Sequence, residues 1–277
     1  MGSESTYQIS IIMPALNEQG NIEKAVINAV DAFKMYGING EIIVVNDGST
    51  DKTGDIVTDL SKKIPFLRQI VHKTPRGIGF SFWDGAQNAL GDSVMLIPGD
   101  GEIDTGDILR YMPLMNEVDV LVPFFFNKEV RTFKRRIISI LYKGIINISF
   151  GLLLNYMNGS VIYRRSVLKQ VTLSSFGFFY QTELLIKLLK RGYLFAEIPS
   201  SLKPREGGSS TALKFKSFIN LASGYINTMI SVHILDRISG EIIEDSATFR
   251  RHQFINRNQK INKLVDINDD LAIETKA

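Results

Sequence analysis

The stretch Glu41-Ile-Ile-Val-Val-Asn-Asp-Gly-Ser-Thr-Asp51 reads as a short buried strand running into an acidic turn. Ile42 to Val45 form an unbroken apolar run, as strands covered on both faces of a parallel sheet do. Upstream, Gln8 to Met13 is a second such strand, ended by Pro14-Ala-Leu-Asn-Glu18. Between the two, Ile22, Ala25, Val26, Ala29 and Phe33 recur at helical spacing, which predicts a helix over about 19–36. Asn17 is its expected cap, with Asn21 as a second candidate. Downstream, a helix to about Lys62, a strand at Leu67–Val71, a Gly-containing loop at Lys73–Gly79 opening a helix through Leu90, and a strand at Ser93–Ile97 continue the alternation. Strand and helix in turn at this spacing predict βαβ units and a largely parallel sheet flanked by helices.

Ligands of such sheets bind outside the carboxyl ends of the strands. The turns at Pro14–Glu18, at Asp47 and after Ile97 all lie at such ends, so three turns converge on one crevice. The last is the most suggestive. Val94 to Ile97 is apolar, Pro98-Gly99 forces a turn, and Asp100 and Glu102 stand one residue apart. Two carboxylates at that spacing can share one hard cation, which could in turn bridge a diphosphate. The plain alternative is a turn that is merely rich in Asp and Gly.

A helix at Asp107–Asn116 and a strand at Val118–Pro123 follow, and then the character changes. Lys128, Arg131, Lys134, Arg135 and Arg136 form a basic cluster leading into an apolar stretch from Ile137 to Leu154. Lys143 and Asn147 interrupt that stretch, which predicts an interfacial or buried helix and not a membrane span. A basic flank on an apolar helix suits an anionic membrane surface; a core helix with a solvated start fits equally well. A strand at Ser160–Tyr163, a helix at Gln181–Arg191, a strand at Leu194–Ile198, a loop at Lys203–Ser210 with a cation and small donors, and a helix at Lys214–Leu235 complete the pattern. Beyond Gly240 the chain turns polar and mixed in charge, as a peripheral or disordered tail does.

The bulk numbers set limits. At 277 residues the chain suits one large α/β domain with an appendage. The net charge of +3 is small, so the placement of charges matters more than their sum. The chain has no cysteine, which rules out disulfides, thiolate chemistry and a Cys-based zinc site, and fits a reducing compartment. Met1 to Thr6 is polar, with no apolar core of a secretory signal.

Taken together, Pro14-Ala-Leu-Asn-Glu18, Val44-Val-Asn-Asp-Gly-Ser-Thr-Asp51, Gly77-x-Gly79 and Pro98-Gly-Asp-Gly-Glu102 resemble the motifs of family 2 glycosyltransferases with the GT-A fold. In the second half, Lys134-Arg-Arg-Ile-Ile-Ser139, Tyr180-Gln-Thr-Glu-Leu-Leu185 and Arg205-x-x-Gly208-x-Ser210 resemble the dolichyl-phosphate mannosyltransferase and polyprenyl-phosphate glycosyltransferase branch. The resemblance covers roughly residues 7 to 215. It implies a GT-A domain over 7–213, with a nucleotide-sugar half at 7–125 and an acceptor half at 126–213. A polar flexible start at 1–6, a peripheral helical segment at 214–238 and a polar tail at 239–277 surround it.

The resemblance also implies roles. Pro14, Leu16, Glu18 and Asp47, with Asn46, Gly77 and Gly79, would line a nucleotide-diphosphate sugar. Asp100 and Glu102 would hold Mg²⁺ or Mn²⁺. Arg131, Arg136 and Arg205 would meet donor or acceptor phosphates. The acceptor would be a polyprenyl phosphate, reached from the cytoplasmic side by peripheral membrane contact; no nucleic-acid partner is expected. The chain departs from the family at three places. Pro98 stands where an acid is usual, Asn46-Asp47 replaces Asp-Asp, and Gln181 stands where Asp is frequent. A sugar hydroxyl acceptor needs a base, whereas a phosphate monoester, with a second pKa of about 6, is already ionised. Gln181 therefore suits a phosphate acceptor. A saccharide acceptor would need Glu183 as base, and loss of the acid at position 98 leaves open a non-catalytic sugar-nucleotide-binding remnant.

Overall fold

The computed structural model describes residues 6–127, 133–201, 215–235 and 240–259. The first residues of the polar start, the basic residues Lys128 and Arg131, the 203–210 loop with Arg205, and the chain past 259 lie outside them. Seven strands, β1 (Tyr7–Ala15), β2 (Gly40–Asn46), β3 (Leu67–Val71), β4 (Gly91–Leu96), β5 (Val120–Phe125), β6 (Ile162–Arg164) and β7 (Phe195–Ser200), form one sheet in the order β3-β2-β1-β4-β6-β5-β7. β1 pairs in parallel with β2 and β4, β2 with β3, and β5 with β7, while β6 runs antiparallel to both β4 and β5. The mostly parallel α/β sheet of the sequence reading is thus present.

Period-two alternation along β1 feeds two cores. Ile9, Ile11 and Met13 join Ile42 and Val44 on one face, beneath helices α1 (Ile22–Tyr36) and α2 (Thr53–Ser61). Ile12 joins Ile43, Val45 and Phe82 on the other, with α3 (Ile78–Gln87). Because both faces are covered, all seven residues of β2 are buried, which is why the strand reads as a continuous apolar run. The chain winds outward from β1 to β3, then returns to place β4 on the other side of β1. The crevice at the carboxyl ends of β1 and β4 is therefore the topological switch point.

Some expected elements differ. The helix expected at 107–116 is split into α4 (Thr105–Leu109), capped by Asp104 receiving the Gly106 N–H at 3.0 Å, and a 3₁₀ turn at Met112–Asn116. Pro113 has no N–H to donate and its ring opposes continuation of the helix. Neither Asn17 nor Asn21 caps α1 with its side chain: Asn17 Oδ1 receives the Thr50 N–H at 2.9 Å, and Asn21 Nδ2 donates to Glu18 at 2.9 Å.

The second half adds α5 (Phe133–Phe150), α6 (Arg165–Leu168), α7 (Tyr180–Lys190) and α8 (Phe215–Met229), the last continuing into a π-helical turn at Ile230–Ile234. α5 is neither wholly buried nor a span. It buries Ile146 and Phe150 and exposes Ile137, Ile140, Leu141, Ile145 and Ile148, and no helix among the described residues is long and apolar enough to cross a membrane. Residues 240–259, expected to belong to a polar tail, are partly built into the domain. The Ala247 and Thr248 N–H groups donate to the Asp119 carboxylate at 2.7 and 3.0 Å, Arg164 Nε does so at 2.8 Å, and a helix runs over 247–259. A buried carboxylate at 119 requires donors, and this segment brings them.

Candidate active site at the carboxyl ends of the strands

Ala15 ends β1, and its neighbours close on it from both sides. The Asp47 N–H donates to Ala15 O at 2.9 Å, and the Gly99 N–H donates to Pro14 O at 3.1 Å. These bonds extend the ladder past the last strand residues, so the turns after β1, β2 and β4 stand side by side. The first two are stitched further. Asn17, with φ +57°, donates its N–H to Ser49 Oγ at 3.0 Å, Glu18 N–H donates to Thr53 Oγ1 at 2.8 Å, and Gln19 N–H donates to Asp51 at 3.1 Å. Pro14 and Glu18 are half-buried, and Leu16 is exposed.

Asn46 and Asp47 face inward. Asn46 Oδ1 receives the Ser49 N–H at 3.0 Å, closing the turn. Asp47 is buried and receives the N–H groups of Arg76 and Gly77 at 2.9 and 2.8 Å and His72 Nδ1 at 2.7 Å. Burial pushes its carboxyl up, but these hydrogen bonds and the His72 charge outweigh that and hold it below the usual carboxylate range. Asp47 thereby holds the loop before α3 beside the place where the sequence reading expects the nucleotide. Gly48, at φ +77°, makes this close approach possible: a Cβ there would lie 2.8 Å from Pro75 N. Gly77 N–H belongs to the Asp47 bond, and Gly79 is packed so closely that a Cβ would meet Phe176 O at 2.6 Å. Gly79 thus seats α3 on the segment before α7.

Asp100 follows the ladder by one residue. It is half-buried, and its Oδ1 receives the Glu102 N–H at 3.1 Å across Gly101. Glu102 is also half-buried. No group of three or more His, Cys, Asp or Glu side chains that could hold a metal occurs among the described residues. Two carboxylates are a donor set that suits a hard cation, since Mg²⁺ commonly takes one or two carboxylates and completes its shell with water and substrate phosphates.

In the second half, Glu183 is fully buried. It receives Ser174 N–H at 2.9 Å, Ser174 Oγ at 2.6 Å, Ser175 N–H at 2.8 Å and Lys187 Nζ at 2.5 Å. A carboxylate so engaged pins the 174–175 turn to α7. Gln181 is buried and donates to Gly159 O. Thr182 lies between Tyr142 and Asn158, its Oγ1 at 2.7 Å from the phenol and 3.2 Å from Asn158 Oδ1. Arg136 is exposed on α5. Arg131 and Arg205 lie outside the described residues, so the expected phosphate cluster is represented here by Arg136 alone. Sequence reading missed His72, Asp84 and Arg76. The available signal was position, since His72 lies one residue past β3, on the ligand side of a parallel sheet.

The model of the Glycosyl transferase family 2 domain matches residues 10–172, more than half of the chain. The chain belongs to this family. A dolichyl-phosphate beta-glucosyltransferase of Trichomonas vaginalis is 24% identical over 265 residues, covering 90% of this chain and 78% of that protein. A polyprenol monophosphomannose synthase of Mycolicibacterium smegmatis is 27% identical over 232 residues, covering 74% and 81%. Glucosyl-3-phosphoglycerate synthase of Mycobacterium tuberculosis, solved with Mn²⁺, UDP-glucose and phosphoglyceric acid, has a TM-score of 0.59 at 19% identity, covering 84% of this chain and 80% of that one. That structural likeness speaks for the fold, and it agrees with the GT-A architecture of this family 2 member.

Proposed function

We propose that this family 2 member is an inverting glycosyltransferase that moves one sugar from a nucleotide-diphosphate sugar to a polyprenyl phosphate at the cytoplasmic face of a membrane. The observation that carries the choice of acceptor is Glu183. It is the carboxylate that a hydroxyl acceptor would need as base, and it is enclosed by Ser174, Ser175 and Lys187. A phosphate monoester needs no base, because its second proton leaves near pH 6 (about). The names of the Trichomonas and Mycolicibacterium relatives support the same acceptor class.

The donor would lie across Pro14–Glu18 and the 75–77 loop, with its diphosphate toward Asp100. Asp100 and Glu102 would hold Mg²⁺ or Mn²⁺, which when bound supplies positive charge against the departing diphosphate; the Mn²⁺ complex of the mycobacterial synthase supports this. Arg136, and Arg131 and Arg205 by sequence, would orient the acceptor phosphate for attack from the face opposite the leaving group. The exposed apolar face of α5 would seat the chain on lipid, and by sequence the basic cluster that leads into it suits anionic headgroups.

Vesicles carrying polyprenyl phosphate, incubated with UDP-, GDP- and dTDP-sugars and Mn²⁺, are expected to yield glycolipid with one donor class. No glycolipid with any of them overturns the reading. Seating is tested by vesicle flotation. The Ile140→Glu, Ile148→Glu double variant removes two exposed apolar side chains that lipid would bury, worth about 1.5–3 kcal/mol each when fully buried, and is expected to weaken binding by about tenfold or more. Unchanged flotation would reject contact through α5.

A further inference from the structure

His72 is buried between two acids that the reaction proposed above does not use. Its Nδ1 lies 2.7 Å from Asp47 Oδ1, and its Nε2 lies 3.0 Å from Asp84 Oδ2. A neutral imidazole carries one N–H and one lone pair, so one of these contacts would set a lone pair against a carboxylate oxygen. The imidazolium donates on both sides and satisfies both acids. Three elements meet at the ring: Asp47 from the turn after β2, His72 from the end of β3, and Asp84 from α3. The Arg76 guanidinium lies 3.1 Å over the Phe80 ring, and that ring meets His72 edge-on at 5.5 Å. Lys73, next in the chain, is exposed.

The acid that His72 grips is the acid that holds the loop. Asp47 Oδ1 is shared between His72 and the Arg76 N–H, while Oδ2 receives the Gly77 N–H. We propose that His72 is a positioning residue for donor binding: its imidazolium fixes the Asp47 carboxylate against the Arg76 and Gly77 N–H groups and so shapes the loop at the mouth of the nucleotide crevice. Loss of that proton loosens the loop and weakens nucleoside diphosphate binding. The inference rests on the donor-site reading of this crevice.

The sign follows from the surroundings of both groups. Burial pulls the His72 pKa down, but the hydrogen bonds and charges of Asp47 and Asp84 outweigh it and raise the value above the ordinary one. A group raised in the folded state stabilises fully below its unfolded pKa, about 6.5 for His, and loses that contribution as pH rises through the folded value. Asp47 is lowered, so its contribution is present above its unfolded pKa and is lost only as pH falls through the folded value. The clamp is therefore complete below about pH 6.5, the unfolded value for His, and opens as pH rises through the raised folded value.

Hydrogen exchange at the Arg76 and Gly77 amides, corrected for intrinsic base catalysis, and binding of UDP and GDP with Mg²⁺ would be followed from about pH 6 to about pH 9. Exchange at both amides, and the Kd of whichever nucleotide binds, are expected to rise by about tenfold or more together, the size set by losing a charge-assisted hydrogen bond. His72→Gln should exchange fast at every pH without a transition. Asp84→Asn, which leaves the Asp47 contacts in place, should move the midpoint to lower pH, a shift that a purely structural residue would not produce. Flat exchange in the native chain, or an unmoved midpoint in Asp84→Asn, overturns the proposal. An amide transition with no nucleotide bound at any pH would overturn the donor reading instead and leave the His72 coupling standing.

Discussion

Glu183 and Asp100 are both carboxylates that the motifs single out, and their surroundings separate them. Glu183 has no exposure, and four donors from Ser174, Ser175 and Lys187 reach its oxygens. Asp100 is half-buried past the end of β4 and receives the Glu102 N–H from its own turn. Glu183 resembles Glu41, which receives Ser10 Oγ at 2.6 Å, Arg68 Nε at 2.9 Å and the Leu90 N–H at 2.6 Å at the opposite end of the sheet. A charge buried with enough donors is a joint between elements, because desolvation has been offset locally. A carboxylate on a short turn at the switch point, with one backbone donor from its own turn, is the one proposed to meet a cation. Motif position alone does not tell the two apart; the count and direction of donors do.

The largest test of that contrast is at Asp100. Asp100→Ala removes one of two carboxylate ligands from the proposed cation and leaves the core untouched. Lewis-acid stabilisation of a leaving diphosphate is worth several kcal/mol, so turnover should fall by about a thousandfold or more. The melting temperature should stay close to that of the native chain, and chelation of divalent ions should give the same loss. A fully active variant would remove Asp100 from the site.

Glu183→Gln should behave in the opposite way. The amide presents an NH₂ where Ser174 and Ser175 donate, and it strips the neighbouring Lys187 of its partner. Removing one member of a buried pair costs about 3 kcal/mol or more, so urea unfolding should shift strongly. Molecules that remain folded should keep their transfer rate. Loss of turnover without loss of stability would return Glu183 to the role of base and reopen a hydroxyl acceptor.

The part of the fold made by short apolar runs and helical periodicity was open to reading, since parallel strands covered on both faces carry their environment in their composition. The convergence of the Pro14, Asp47 and Asp100 turns followed from it. What could not be read was saturation. The donors to Asp47 come from residues 72, 76 and 77, on another strand and its loop, and no local pattern announces that both oxygens are engaged. Pro113 was visible, yet the helix expected at 107–116 ran through it; the break came from a missing N–H. The polar composition after Gly240 reads as a peripheral or disordered tail, and which of the two holds for residues 240–259 depends on one acid 128 residues earlier, Asp119 to Ala247.

That long-range joint offers the smallest effect and a fine test of the rule. Asp119 is fully buried and receives Arg164 Nε, the Ala247 and Thr248 N–H groups, and Thr248 Oγ1 at 2.5 Å. The same Thr248 hydroxyl receives the Leu194 N–H at 2.8 Å, so it relays between the acid and the residue preceding β7. Thr248→Ala deletes that relay and leaves the other donors to Asp119 in place. A hydrogen bond to a charged group is worth about 1.5–3 kcal/mol, and with the remaining donors sharing the charge the lower end is expected. Urea unfolding should therefore lose about 1–2 kcal/mol with unchanged transfer. A neutral substitution would mean that the segment after Gly240 lies on the domain without supporting it, and that donor count overstates its contribution at a site already served by Arg164. A loss matching that of Glu183→Gln would mean that the hydroxyl, and not the guanidinium, is what makes the buried charge tolerable.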